Sequence, residues 1–359
     1  MEKEVSEYIK NYELMREINF SSKFIEFQRK LYNHHYINSE TYKLISDNFF
    51  KSYNFEKEKI KIEEFPYIPI ELFKNHELLS IDKKKVFKIM RSSGTSGNKT
   101  SKIFLDIANA KAQKAALSKI FTDFTKLKRP GILICDNKET ISKNKSFSAR
   151  AAGILGFSSL CRFPKFILDE DMNLLIENIE ELLSNNKIKE IILFGFTFII
   201  WQHLLRNKLP NTIKKEFKNR VTLLHGGGWK KLESIKVSKE EFKERIYDFL
   251  GIEKCINYYG MVEQTGSIFM ECEKGWLHEN PLCRILARSE KNLKIDNEGI
   301  AQVISAIPTS YPGHSILTDD LVKLKGLGEC SCGRKGAYFE IIGRLKSSET
   351  RGCSDTYHG

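Results

Sequence analysis

Thirteen residues, Met90-Arg91-Ser92-Ser93-Gly94-Thr95-Ser96-Gly97-Asn98-Lys99-Thr100-Ser101-Lys102, gather hydroxyls, glycines and lysines between two apolar runs. This is the composition of a loop that holds polyphosphate. Gly94 and Gly97 let the backbone approach an anion and turn its N–H groups inward, Ser92, Ser93, Thr95 and Ser96 add donors, and Lys99 and Lys102 bring charge. The flanks Val86-Phe87-Lys88-Ile89 and Ile103-Phe104-Leu105 are short and β-like, so the loop is expected at a hairpin tip. It is not a Walker A loop, because Asn98 separates Gly97 from Lys99 and a strand rather than a helix follows.

A second set of reactive side chains lies far downstream. The chain has eight cysteines. Cys135, Cys161, Cys255 and Cys283 stand in apolar contexts and read as small core residues. Cys330-Ser331-Cys332-Gly333-Arg334 has the form of a metal knuckle, and with Cys272 and His278 it makes a Cys3His set. Cys-x-Cys is tighter than the usual Cys-x2-Cys of zinc sites, and the competing reading is four reduced residues in turns. With four protein ligands, a zinc ion there would be structural rather than catalytic. Cys353 stands beside Arg351 and Gly352, where a neighbouring cation favours the nucleophilic thiolate.

The elements that must position these groups show as alternation. Residues 1–65 read as an N-terminal helical cap; Pro66 and Pro69 break it and lead into the hairpin. Buried-strand runs then recur at 131–136, 191–195, 221–225 and 255–259, separated by helical stretches at 149–155, 173–183 and 239–250. Such alternation makes an α/β fold with mostly parallel strands flanked by helices, whose ligands sit beyond the carboxyl ends of the strands. Short strands and turns after residue 265 form a smaller β-rich subregion. The expected division is 1–65 cap, 66–342 nucleotide- and substrate-binding domain, and 343–359 hinge stub and tail.

Composition narrows the class. The formal net charge of +12 comes from scattered lysines, without a basic face or a known module for nucleic acid; an acidic carrier or partner protein is the other use of such charge. The apolar run Ile191–Leu205 is about 15 residues against the ~20 that span a bilayer. The charged start Met1-Glu2-Lys3-Glu4 is unlike a secretory leader, so a reducing cytoplasm is the expected compartment and the thiols are expected free.

Taken in order, five segments resemble the adenylate-forming enzymes. They are the loop at 92–102, His225-Gly226-Gly227-Gly228, Tyr259-Gly260-Met261-Val262-Glu263, Thr318-Asp319-Asp320 and Gly343-Arg344. From about residue 60 onward the resemblance is closer to the acyl-protein synthetase (LuxE-like) branch, through Arg91–Gly97, Tyr259–Ser267 and Ser348–Asp355. It implies activation of a carboxylic acid, of the long-chain fatty acid class, by ATP, giving an acyl-adenylate and pyrophosphate. On that resemblance Glu263 is a Mg²⁺ ligand, Asp320 binds ribose hydroxyls, Arg344 contacts ribose or phosphate, and Tyr259 packs on adenine, while Gly226, Gly227, Gly228 and Gly260 shape the nucleotide turns. Cys353 is then the thiol that takes the acyl group. Similar Cys and His positions in phenylacetate-CoA ligase-like relatives support zinc on Cys272, His278, Cys330 and Cys332.

Two departures accompany the resemblance. Val262 replaces the threonine that usually contacts the AMP phosphate, with Lys230 or Thr265 as possible substitutes. The chain also stops about 15 residues after Arg344, short of the small domain whose lysine assists adenylation, which leaves Lys99, Lys230 and Lys346 as candidates. Phe194–Ile200 would line an acyl tunnel or simply fill a core strand and helix. Two other readings stay open: a coenzyme A or carrier-protein ligase of polysaccharide or secondary-metabolite biosynthesis, and a non-catalytic nucleotide-binding subunit of a fatty-acid reductase complex. Expected partners are an acyl-CoA reductase-like protein or an acyl carrier, in a homo- or hetero-oligomer.

Overall fold

The computed structural model describes residues 1–17, 21–51, 60–92, 100–142, 148–229, 235–328 and 330–345. Among these, contacts gather into two compact units, one of 1–120 with 260–345 and the other of 121–259.

In the second unit, five parallel strands run in the order Arg162–Phe166, Gly131–Cys135, Ile191–Phe196, Val221–Gly226, Lys254–Tyr259. The three central strands are buried at every position, as strands covered on both faces must be, and this is why they stood out as continuous apolar runs. Phe194 belongs to this core: its ring lies 4.8 Å from that of Phe157 and 6.3 Å from that of Tyr258. Together with buried Phe196, Ile199 and Ile200, it fills the strand and the Thr197–Gln202 helix. Ser238 starts the helix Lys239–Leu250 by accepting the Glu241 N–H at 3.0 Å. The helix expected from 173 begins only at Ile176. Asp169 accepts the Asn173 N–H at 2.7 Å and Leu168 bridges to Leu174, so local side-chain bonding holds the first residues in a turn.

The first unit carries an antiparallel sheet in the order Ile295–Asp296, Cys283–Arg288, Glu298–Ser305, Ser315–Leu327, Ala337–Arg344, Leu277–His278, Phe269–Glu271. Phe269–Glu271, Leu277–His278 and Ile295–Asp296 are the short strands expected after residue 265, whereas others are longer, with 13 residues in Ser315–Leu327. Ile68–Pro69 adds to that strand in parallel, at Ile316 and Leu317. Helices Glu2–Lys10, Tyr12–Glu17, Ser21–Asn38 and Glu40–Phe49 make up most of the described part of the first 51 residues. Long-range bonds tie them to the sheet end: Gln28 Nε2 donates to the Ser305 carbonyl at 2.9 Å, and His35 Nε2 lies 3.1 Å from the Pro308 carbonyl. Asn109 likewise donates to the Ile307 carbonyl at 2.9 Å. The residues 305–310 are thus clamped from two sides, which fixes the strand that leaves them at Ser315.

Candidate functional site

Glu263 lies in a single 3-10 turn, Val262–Gln264, whose residues are all buried. Three bonds hold the turn. The Tyr311 hydroxyl donates to the Glu263 carbonyl at 2.8 Å, and Gln264 Nε2 donates to the carbonyls of Gly313 at 2.8 Å and Val303 at 3.1 Å. The Thr265 hydroxyl is used within the turn, donating to the Val262 carbonyl at 2.9 Å. Only 4% of Glu263 is exposed. Burial raises its carboxyl pKa above the ordinary range, opposed by the Ser101 hydroxyl, by its own backbone N–H and by the charges of Lys74 and Arg344. Ser101 Oγ is fully buried and faces this carboxyl, yet satisfies no full hydrogen-bond geometry among the described residues.

Asp320 and Arg344, chosen from separate motifs, are direct cross-strand partners. Arg344 Nε donates to Asp320 Oδ1 at 3.0 Å. The Thr318 hydroxyl accepts the Asp320 N–H at 3.1 Å and donates to the Ala301 carbonyl at 2.8 Å, which sets the backbone at this point of the strand. Asp319 is half-buried, and its pKa is raised by burial first and by Glu71 next, with Lys74 and Arg344 acting against them. The unit therefore brings together two raised carboxyls, a paired carboxylate, a guanidinium and an ammonium. Such a set has the charges to hold a cation or a polyol on its acidic side and an anion on its basic side.

The hairpin expected around the glycine-rich loop is present, Lys88–Arg91 against Lys102–Leu105, with Arg91 opposite Lys102. Ser92 closes it: its N–H donates to the Ser101 carbonyl at 3.1 Å and its hydroxyl accepts the Ser101 N–H at 2.8 Å. Ser93, Gly94, Thr95, Ser96, Gly97 and Lys99 lie outside the described residues, as do Lys230, Lys346 and Cys353. The loop's downstream flank, Ser101, is the residue that meets Glu263.

In the other unit, Val221–Gly226 leads into the glycine turn as expected. Thr197 Oγ1 lies 2.9 Å from His225 Nδ1 and donates to the Gly226 carbonyl at 3.1 Å. Gly227 has φ +84°, and a Cβ there would stand 2.7 Å from the Phe196 ring, so both conformation and space require glycine. Tyr259 ends the strand Lys254–Tyr259 and is half-exposed.

Cys272, His278, Cys330 and Cys332 converge, with their ligand atoms all within 4.8 Å of one another. Cys332 Sγ is 3.5 Å from His278 Nε2, near the ~3.5 Å edge of a tetrahedron built on usual Zn–S and Zn–N lengths. Two similar turns present the thiols. The Lys274 N–H donates to Cys272 Sγ and the Arg334 N–H to Cys332 Sγ, each at 3.4 Å, followed or preceded by glycines at φ +81° (Gly275) and φ +80° (Gly333). N–H groups aimed at sulfur stabilise thiolate, the form that binds metal. Without a cation the cluster is awkward: burial and the neighbouring thiols push Cys332 up to about 12, while burial and Arg334 pull His278 down to about 4. His278 Nδ1 is buried without a partner among the described residues. The donor set fits zinc.

Sequence reasoning passed over Lys74, Tyr311, Thr318 and Ser101 as a set. Ser101 sat inside the quoted loop and Thr318 inside a motif, but neither Lys74 nor Tyr311 has a local signature. A groove lined by Lys3, Lys84, Phe87, Ile107 and Lys111 contains none of the motif residues.

Comparison with known proteins gives the family and the fold. Residues 17–358 match the family model described as acyl-protein synthetase, LuxE. The long-chain-fatty-acid–luciferin-component ligase of Aliivibrio fischeri is 25% identical over 340 residues, covering 91% of this chain and 85% of that protein. Among solved structures, 2-hydroxyisobutyryl-CoA ligase in an open conformation with 2-HIB-AMP and CoA superposes with a TM-score of 0.68 at 14% identity, over 93% of this chain and 78% of that one. The same ligase in its postadenylation state with 2-HIB-AMP gives 0.66 at 14% identity, over 90% and 68%. At that identity the likeness is one of fold: an α/β architecture shared with adenylate-forming ligases.

Proposed function

This chain belongs to the LuxE acyl-protein synthetase family of ligases, and from that premise we propose that it activates a long-chain carboxylic acid with ATP and passes the acyl group to a protein thiol. The observation that carries the reading is the meeting of Glu263, Asp319, Asp320 and Arg344, drawn from three separate motifs, in one compact unit.

A carboxylate is a poor electrophile, so its oxygen attacks the α-phosphorus of ATP and the bond to pyrophosphate breaks. Charge accumulates on phosphate oxygens in that step, and preorganised donors and cations lower its cost. In this reading the loop 92–102 cradles the departing pyrophosphate, with Ser92, Ser93, Gly94, Thr95, Ser96, Gly97 and Lys99 supplying N–H groups, hydroxyls and charge. Asp320, oriented by Thr318 and Arg344, accepts ribose hydroxyls, and Arg344 adds positive charge. Gly226, Gly227, Gly228, Tyr259 and Gly260 hold the nucleotide. A buried acid such as Glu263 suits a bound Mg²⁺, which would supply charge neutralisation to the phosphates.

Cys353 then takes the acyl group. The thiolate sulfur attacks the acyl carbon, a thioester forms and AMP leaves with the electron pair. An acyl-CoA reductase-like protein or an acyl carrier is the partner that would receive it. Zinc on Cys272, His278, Cys330 and Cys332 staples the sheet that carries Asp320 and takes no part in the reaction.

The test is carboxylate-dependent exchange of labelled pyrophosphate into ATP, paired with intact-protein mass after ATP and hexadecanoate. Exchange and a covalent acyl adduct are expected in the native chain, with exchange kept and the adduct lost in Cys353→Ala. Absence of exchange across short and long acids overturns adenylation; a thiol-labile adduct on the alanine variant overturns the role of Cys353.

A further inference from the structure

Resting on the adenylation reading, we propose that Lys74 is a further catalytic residue, whose ammonium contacts the nucleotide phosphate beside Glu263 and Asp319. Nothing near it in the sequence marks it: it sits in a four-residue helix, Leu72–Asn75, after a proline-broken segment. Its place comes from two anchors. Upstream, Ile68–Pro69 pairs with Ile316 and Leu317, and the Ile70 N–H donates to the Leu317 carbonyl at 2.9 Å, so the segment is fixed on the strand just before Thr318, Asp319 and Asp320. Within the helix, Phe73 is 1% exposed and meets the Tyr311 ring edge-on at 6.2 Å, and Tyr311 in turn donates to the Glu263 carbonyl. Lys74, next to Phe73, therefore lies on a segment anchored both to the strand that carries Asp319 and to Tyr311, which holds the Glu263 turn.

Its side chain is more covered than those of Lys61 and Lys83 in the same unit. Only 16% of it is exposed, against 77% for Lys61 and 71% for Lys83. Its charge acts on the carboxyls of both Glu263 and Asp319. Its ion partner is Glu71, three residues back and 54% exposed. A pair with one exposed, water-screened carboxylate is weak, and a phosphate oxygen competes well for the same ammonium. The other cation acting on Glu263, Arg344, is already paired with Asp320. A nucleoside triphosphate would meet three acids, Glu263, Asp319 and Asp320, so the ammonium is needed on the nucleotide.

In the chemical step the carboxylate oxygen forms its bond to the α-phosphorus while pyrophosphate leaves with the electron pair of the broken P–O bond. No proton moves, and Lys74 acts by charge throughout. The experiment is pyrophosphate exchange with hexadecanoate, measured as kcat and KM for ATP, in the full chain and in Lys74→Met, Lys74→Arg and Glu71→Gln, each with its melting temperature. Lys74→Met is expected to lower kcat about 100-fold, as loss of a transition-state charge contact does. Lys74→Arg is expected to restore activity to within about tenfold of the native chain, and Glu71→Gln to keep it.

A Lys74→Met enzyme that melts normally and exchanges within twofold of the native chain overturns the proposal while leaving adenylation standing. So does a Glu71→Gln loss equal to that of Lys74→Met, because the lysine then serves the ion pair alone. If the methionine variant fails to fold, Lys74→Arg decides: a folded arginine variant as inactive as background is the contrary result. A native chain without exchange fails at the level of the proposed function instead.

Discussion

Two polar clusters in the same compact unit are built on opposite principles. At Cys272, His278, Cys330 and Cys332 four ligand atoms face one another, and backbone N–H groups support two of the sulfurs. At Glu263, Asp319, Asp320 and Arg344 the charges are compensated only in part: two acids are held with raised pKa values, and Arg344 and Asp320 remain one-third and one-fifth exposed. A closed set suits a resident ion that holds strands together. A partly compensated set suits something that comes and goes, since its binding completes the electrostatics.

That contrast can be broken by moving each cluster separately. The largest effect is expected from Cys332→Ser or prolonged chelation. Zinc content of the purified native chain should be near one equivalent and fall in the variant, with stability reduced by on the order of 5 kcal/mol, because metal binding is folding energy at such a site. Denaturant unfolding and metal analysis check this; a chain with no zinc, unmoved by chelator, removes the distinction.

Glu263→Gln should do the reverse. It keeps the shape of the turn and removes the charge, so exchange activity is expected to drop by about 10²–10³-fold with little change in melting temperature. A variant that unfolds while keeping its specific activity would make the acid cluster structural as well.

The smallest effect is on pH-dependent stability. Glu263 has a folded pKa above its ordinary value of 4.5, so folding favours the protonated form. Its contribution is fully present below 4.5 and is lost as pH rises through the folded pKa. The stability of Glu263→Gln relative to the native chain should therefore grow over that window and then level off, as read from urea midpoints. Glu279, also raised by burial, is present in both chains and cancels in the difference. A gap that is flat with pH would mean that the carboxyl is not held in a desolvated place.

The legible parts of the molecule are those whose cause is local. A strand buried on both faces has to be a continuous apolar run, and Ile191–Phe196 and Val221–Gly226 announce themselves in this way. The loop 92–102 is flanked by two β-like runs, and those runs pair as Lys88–Arg91 with Lys102–Leu105. The Asn173 region misled because one aspartate side chain, accepting the Asn173 N–H, outweighs a helical apolar pattern over its first turn. Strand length after residue 265 was underestimated for the opposite reason. Polar residues such as Gln302 and Ser315 interrupt the pattern but are buried and bonded to each other at 2.9 Å, which only a cross-strand neighbour can arrange.

By itself the sequence determined the alternating strands and the hairpin around the glycine-rich loop, because these rest on residue type and short spacing; Cys272 with His278 and Cys330 with Cys332 were legible as two separate short-spaced pairs, and Glu263 and Asp320 only through the resemblance to the adenylate-forming enzymes. Tertiary structure alone decided that Asp320 meets Arg344 across 24 positions, that Glu263 is deeply buried, and that Lys74 stands near it. The reason is physical. A backbone pattern is set by neighbours along the chain, whereas burial, desolvation and the company of other charges are set by segments brought together only when the sheet forms.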